Sequence, residues 1–171
     1  MSIIRTIRGF TPSIGEKCFL AETATILGDV IIGKECSIWY NAVLRGDVNP
    51  IRIGDKVNVQ DNAVLHCLFE RSIVEIGNNV SIGHHATVHG AKIDNNVLIG
   101  IGAIILDNVV IGENSIIAAG AVVLSNTIVE PGSIYAGVPA KKIGESGSDA
   151  LEKIRGTAER YITYASWYKN E

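Results

Sequence analysis

All four histidines of this 171-residue chain fall in one stretch: His66, His84, His85 and His89. Neutral imidazoles are common ligands for zinc and related ions. Three of them around one cation leave an open position for water, and the cation lowers the pKa of that water towards about 7. In extended chain, successive side chains point to opposite faces. His84 and His85 therefore cannot both serve one site, and spacing alone does not say which is the spectator. Surface histidines with ordinary hydrogen bonds are the plain alternative, and clustering alone does not separate the two readings.

Polar residues nearby weigh towards a site. Arg45-Gly46-Asp47 and Asn58-Val59-Gln60-Asp61 precede His66 closely. An isolated Asp–Arg pair is usually a surface salt bridge of small value. Asn, Gln and Asp beside ligating imidazoles would instead orient the ligands, water or substrate.

The elements that must position these residues follow from a period of six. Apolar residues recur at Ile93, Ile99, Ile105, Ile111, Ile117 and Val123, and earlier at Ile76, Ile82 and Val88. The same ladder runs through Ile32, Ile38 and Leu44, through Ile53, Val59 and Leu65, and late through Ile128 and Ile134. Small or β-branched residues such as Ala63, Val80, Ala86, Val97, Ala103 and Ala121 stand four positions after a ladder residue. A helix needs a period near 3.6 and a hairpin strand alternates and then turns. A strict six predicts a short straight run and a corner. Three runs make a triangular coil, and each coil needs its neighbours to bury its inward residues. The 26 Ile and 16 Val against nine Leu suit such pleated surfaces. A β-sandwich would show turns every 8–12 or so residues without a fixed short period.

The repeat covers residues 14–140. Two segments break its register, Asp47–Arg52 and Cys67–Ser72, and are expected as loops leaving a rigid scaffold. Residues 144–148 read as a hinge. Leu151, Ile154, Ala158, Tyr161, Ala165 and Tyr168 then follow helical spacing. Ser148 is the expected N-cap, with Asp149 and Glu152 in the first turn. The organisation predicted is a β-helical body over 1–147 and a C-terminal helical segment over 148–171, its helix running about 148–168 and packed along the prism.

Composition narrows the partners. A net charge of -3 offers no basic field for nucleic acid or an anionic membrane. No apolar run approaches the ~18 residues of a membrane span, and no phosphate-binding GxxxxGK[ST] is present. The N-terminal residues lack the pattern of a signal peptide. Three cysteines, at 18, 36 and 67, argue against a disulfide framework. A cytoplasmic location is expected.

The segments Arg45-x-Asp47, Asn58-x-Gln60-Asp61, Leu65-His66, Ile82-Gly83-His84 and the spacing from His84 to His89 resemble the gamma-class carbonic anhydrases. The likeness is to their short bacterial and archaeal branch and runs from about Gly9 to Tyr168. It implies an all-β fold with a C-terminal helix, a left-handed parallel β-helix of hexapeptide repeats. It also implies a homotrimer with active sites at subunit interfaces, hydrating carbon dioxide to bicarbonate. His66 and His89 of one subunit and His84 of its neighbour would hold Zn2+, with Fe2+ or Co2+ as substitutes, leaving His85 as the spectator. Arg45 and Asp47 would bridge subunits. Gln60 would hold a metal-bound water, and Asn58 and Asp61 would complete the network. Tyr161, or else Tyr164, would approach from the helix.

The chain departs from the family pattern in two places. Val48 stands where an acidic residue is expected, and Cys67–Arg71 is shorter and less acidic than the family's proton-transfer loop. Glu70 is the substitute at hand, and weak activity would follow from its failure to serve. Val48, Leu68 and Phe69 are expected to wall the substrate pocket, and Cys67 reads as a small apolar residue rather than a fourth ligand. The competing readings are a hexapeptide-repeat acyltransferase or coenzyme A thioesterase, supported by Gly137-Val138-Pro139-Ala140-Lys141, and a non-catalytic metal-binding protein.

Overall fold

A computed structural model describes residues 2–168. The chain winds as a left-handed parallel β-helix closed by a C-terminal helix, Ser148–Trp167. One wall stacks the strands Phe19–Leu20, Ser37–Ile38, Asn58–Val59, Ser81–Ile82, Leu98–Ile99, Ile116–Ile117 and Ser133–Gly137 in parallel register. The other two walls form one continuous sheet, because Thr25–Ile32 and Val43–Ile53 each run through the corner between them.

The six-residue ladder is the inside of the prism from Ile32 to Val123, but its expected late members Ile128 and Ile134 are not, because Val129 and Tyr135 take the inward places that continue the period from Val123. Ile26, Ile38, Leu44, Leu65, Ile82, Ile93, Ile99, Ile105, Ile111 and Ile117 are fully buried, with Ala24, Ala42, Ala63, Ala86, Ala103 and Ala121 beside them. Large and small inward residues alternate because each corner brings the backbone too near the axis for a second large side chain. The corners themselves demand left-handed backbone. Asn41, Asn62, Asn79, Asn96, Asn108, Asn114 and Asn126 all carry φ between 54° and 63°, the conformation asparagine tolerates better than most residues.

Three further expectations are corrected. Asp47–Arg52 is not a loop but part of the 11-residue strand Val43–Ile53. This strand pairs with Thr25–Ile32 on both sides of the corner, and the extra residues are absorbed by a register shift between Gly28 and Val30. Gly28 permits this with φ +75°, where an added Cβ would overlap the Gly46 carbonyl. The expected hinge begins as strand: Ala140–Glu145 pairs antiparallel with Ser133–Gly137, so Gly144 faces Ile134, and only Ser146 and Gly147 lie between this strand and the helix. Finally, Gly147 rather than Ser148 precedes the helix in extended geometry, and Ser148 directs its hydroxyl to Asp149 instead of capping.

The helix lies on the prism as its spacing predicts. Ile154, Ala158 and Ala165 are buried. Tyr161 and Tyr168 pack edge-on against Trp39, whose ring also meets Phe19. Residues 169–171 of the expected C-terminal segment lie outside the described residues.

Candidate metal centre

His66 ends the strand Val64–His66 and His89 ends Thr87–His89. These strands are neighbours in register, with His66 opposite His89. Leu65 and Val88 point inward, so both imidazoles stand on the outside of the same wall. His66 Nδ1 and His89 Nε2 are 3.2 Å apart. Two donors each ~2.0–2.1 Å from a tetrahedral zinc lie close to that distance from one another.

The second ring nitrogen of each histidine meets a carboxylate. His66 Nε2 is 3.2 Å from Asp47 Oδ1, and His89 Nδ1 is 2.9 Å from Asp107 Oδ2. With a proton on each nitrogen that faces a carboxylate, the two facing nitrogens both carry lone pairs, an arrangement suited to a cation between them; without one, a proton on either makes their contact a hydrogen bond. Arg45 binds the other oxygen of Asp47 at 2.6 Å. This bridge forms within one chain, where the family likeness implies one between subunits. Burial works to raise the Asp47 carboxyl, but Arg45 and His66 overcome it and hold it below the ordinary carboxylate range. Burial and the Arg45 charge push His66 below the usual imidazole value, against the pull of Asp47. A neutral imidazole is the form that ligates a metal.

His84 sits at a corner of the prism, just after Ser81–Ile82. Its Nδ1 is 2.9 Å from Asp61 Oδ2, and its Nε2 is 3.3 Å from the Tyr161 hydroxyl. The backbone N–H of His84 donates to Gln60 Oε1 at 3.1 Å. Gln60 Nε2 donates to Asn58 Oδ1, and Asn58 Nδ2 donates to Ser81 Oγ. Gln60 and Asn58 are buried, so this run of amides fixes the corner that presents His84. Burial pushes the Tyr161 phenol up to about 12, so it stays protonated near neutrality. His85 is exposed in the left-handed corner position with φ 57°. Of the adjacent pair, it is His84 that enters a polar network through its ring.

The residues singled out from sequence thus gather into two separate clusters. Arg45, Asp47, His66 and His89 make one. Asn58, Gln60, Asp61, His84 and Tyr161 make the other. Among the described residues, no group of three His, Cys, Asp or Glu in one chain is placed to hold a metal ion. The imidazole pair with outward lone pairs fits part of a zinc-type donor set, and each candidate histidine carries the carboxylate partner typical of ligating histidines.

Sequence reasoning missed Asp107. It lies one 18-residue coil beyond His89, a relation visible once the coil length is used. Ser72, which donates to Asp107 Oδ1, was read only as part of a loop. Cys67 is fully buried and its thiol is pushed up to about 11 by burial, consistent with an apolar role. Of the expected pocket wall, Val48 and Phe69 line a cavity of about 280 Å³ together with Asp47 and Glu70, a cavity that neither Leu68 nor the candidate histidines line.

Comparison with known proteins bears on the fold and the family. The bacterial transferase hexapeptide family model (six repeats) matches residues 11–46 and 90–125. A carbonic anhydrase of Geobacillus kaustophilus is 44% identical over 98% of this chain and 91% of its own length. The mitochondrial gamma carbonic anhydrase 2 of Arabidopsis thaliana is 37% identical over 94% of this chain, which spans 60% of that longer protein. A crystal structure from Bacillus cereus, described as a candidate acetyltransferase, superposes with a TM-score of 0.94 at 37% identity, covering 99% of this chain and 98% of that one.

Proposed function

Since the chain belongs to the gamma-class carbonic anhydrase family of hexapeptide-repeat proteins, we propose that it is a metal-dependent carbonic anhydrase acting as a homotrimer. In this reading His66 and His89 of one subunit and His84 of the next hold a zinc-type ion. The observation that carries it is the imidazole pair: two ring nitrogens 3.2 Å apart, each ring braced by a carboxylate.

The bound ion supplies a Lewis acid that lowers the pKa of water towards neutrality. The chain supplies the rest. Asp47 and Asp107 hold His66 and His89 in the tautomers that turn lone pairs towards each other. Asp61 does the same for His84 by accepting from its Nδ1, which directs Nε2 outward beside the Tyr161 hydroxyl. With Nδ1–H on Asp61, the protonated Tyr161 hydroxyl donates to His84 Nε2 in the single chain, and it would be released to donate to an oxygen of bicarbonate or water when a metal takes that nitrogen. Val48 and Phe69 offer an apolar wall for carbon dioxide. Glu70 lines the same cavity as Asp47 and would be the carboxylate that carries a proton outward in this reading.

The trimer completes what one chain lacks. The wall bearing His66 and His89 presents an outward row of Val43, Val64, Thr87, Ile104 and Val122. A continuous apolar row beside a polar cluster suits burial against another subunit. The location proposed is cytoplasmic. Among the described residues, no helix is long and apolar enough to cross a membrane.

A second reading has one observation in its favour. A cavity of about 420 Å³ beside the helix is lined by Leu98, Ile116, Ala118, Gln60, His84 and Tyr161. An apolar slot next to a histidine would suit an acyl group, as in a coenzyme A-dependent acyltransferase or thioesterase. Elemental analysis of anaerobically purified protein, with a carbon dioxide hydration assay on the same sample, separates the readings. About one metal per chain with hydration is expected. Metal without hydration would keep the centre and remove the activity, whereas metal-free protein that binds coenzyme A would favour the second reading.

A further inference from the structure

We infer that Asp107, Ser72 and Gly90 form a positioning unit that sets the tautomer and direction of His89, tying a metal ligand to the turn at residues 67–72. The inference rests on the metal reading above for its purpose, but its geometry stands on its own.

Asp107 uses its two oxygens differently. Oδ2 accepts from His89 Nδ1 at 2.9 Å, and Oδ1 accepts from the Ser72 hydroxyl at 2.5 Å. Ser72 Oγ in turn accepts the backbone N–H of Leu68 at 2.9 Å. The hydroxyl therefore has its donor and acceptor roles assigned: it receives from the turn and gives to the carboxylate. Asn49 fastens the same turn, since its Nδ2 donates to the carbonyls of Leu68 and Ser72. The two segments that break the repeat are thus joined to each other and, through Ser72 and Asp107, to His89.

Gly90 makes this possible. It follows His89 directly and holds φ +64°. A Cβ there would overlap Ser72 Oγ and its carbon, and would stand 2.5 Å from Asp107 Oδ1. No other residue type leaves room for the hydroxyl–carboxylate contact while adopting that backbone conformation without cost. Glycine is used here to admit two polar side chains, not merely to turn a corner.

The consequence is chemical. A carboxylate on Nδ1 keeps the proton there and leaves Nε2 as the donor nitrogen, facing His66. Without Asp107 the imidazole is released to exchange tautomers and rotate, and ligation must then pay for both.

The test has two readouts. In metal-free, ¹⁵N-histidine-labelled protein, His89 is expected to show a protonated Nδ1 and an unprotonated Nε2. Asp107→Ala should shift it towards a mixed population. Asp107→Asn still offers its carbonyl oxygen to Nδ1–H, so it should preserve the wild-type tautomer, but its NH2 faces a Ser72 hydroxyl whose proton loses its acceptor, so the tie to the turn should loosen. In chelator competition with Zn2+ and Co2+, Asp107→Ala should weaken binding about 10–100-fold, with Asp107→Asn weakened less. Ser72→Ala and Gly90→Ala should each lie between. An unchanged His89 tautomer in Asp107→Ala overturns the inference, as does unchanged metal affinity. Should Asp107→Ala not fold, Ser72→Ala decides by the same two readouts. Wild-type protein that binds neither ion refutes the metal reading, while the tautomer measurement still decides whether Asp107 positions His89.

Discussion

At the scale of single residues, the half-site around His66 couples charge to folding. Burial and Arg45 place the folded imidazole below its ordinary value, while the unfolded chain keeps the ordinary one. Below about pH 6.5, then, the unfolded chain binds a proton that the folded chain resists. Stability is fully present above that value and is lost as pH falls. Asp47 acts in the same direction at lower pH, because its depressed carboxyl lends stability that disappears on protonation. Metal-stripped protein should therefore melt at progressively lower temperature from pH 7.5 to 5 in scanning calorimetry, and His66→Asn should flatten the upper part of that slope. A rising midpoint over this range would contradict the assigned direction. The residue types at this site were legible in the sequence, since histidines, Asp47 and Asp61 declare themselves by chemistry and spacing. Asp107, Ser72 and Gly90 did not, because what joins them is stacking across coils rather than proximity along the chain.

At the scale of elements, the prism is a stack in which each short strand relies on the ones above and below. Ile99 shows what one inward position is worth. It is fully buried between the strands carrying Ile82 and Ile117. Ile99→Ala removes those contacts and leaves a cavity that a close-packed prism cannot collapse around, a loss of about 2–5 kcal/mol. For a chain of this size that lowers the melting midpoint by roughly 4–20 °C. Ile101→Ala, two residues on at an exposed corner, should move it by no more than about 2 °C on the usual scale of surface changes. Equal shifts for the two would contradict the inward assignment of the six-residue ladder. That ladder was readable through Val123 because inward burial imposes the period, whereas beyond it the adjacent apolar pair Ile128 and Val129 left the inward residue undecided by hydrophobicity. The strand through Asp47–Arg52 was not, because inserted residues break the period even where backbone pairing continues around the corner. The antiparallel Ala140–Glu145 escaped for a related reason: its exposed side chains, Lys141, Lys142 and Ile143, carry no inward signal.

At the scale of the whole molecule, the decisive property is that neither half-site holds three ligands. In a cyclic trimer each interface would set His66 and His89 of one subunit against His84 of the next. This has a consequence that no single-chain centre shares. His84→Ala subunits retain the imidazole pair, and His89→Ala subunits retain His84. Each variant assembled alone should lose tight metal binding. Co-expressed, with separate tags used to isolate mixed trimers, they regenerate an intact interface wherever the pair of the first faces the His84 of the second. A cyclic arrangement containing both kinds has one such interface, whichever variant is in the majority. Mixed trimers should thus carry about one metal ion each, with hydration near a third of wild type per trimer. Doubling the defect on one subunit, His84→Ala with His89→Ala, and pairing it with wild type gives the control: one intact interface remains in trimers with two wild-type copies and none in those with one. Mixed trimers of the single variants that stay metal-free would show that the histidines do not meet across subunits. Metal retained at full stoichiometry by His84→Ala alone would show that the third ligand is some other group.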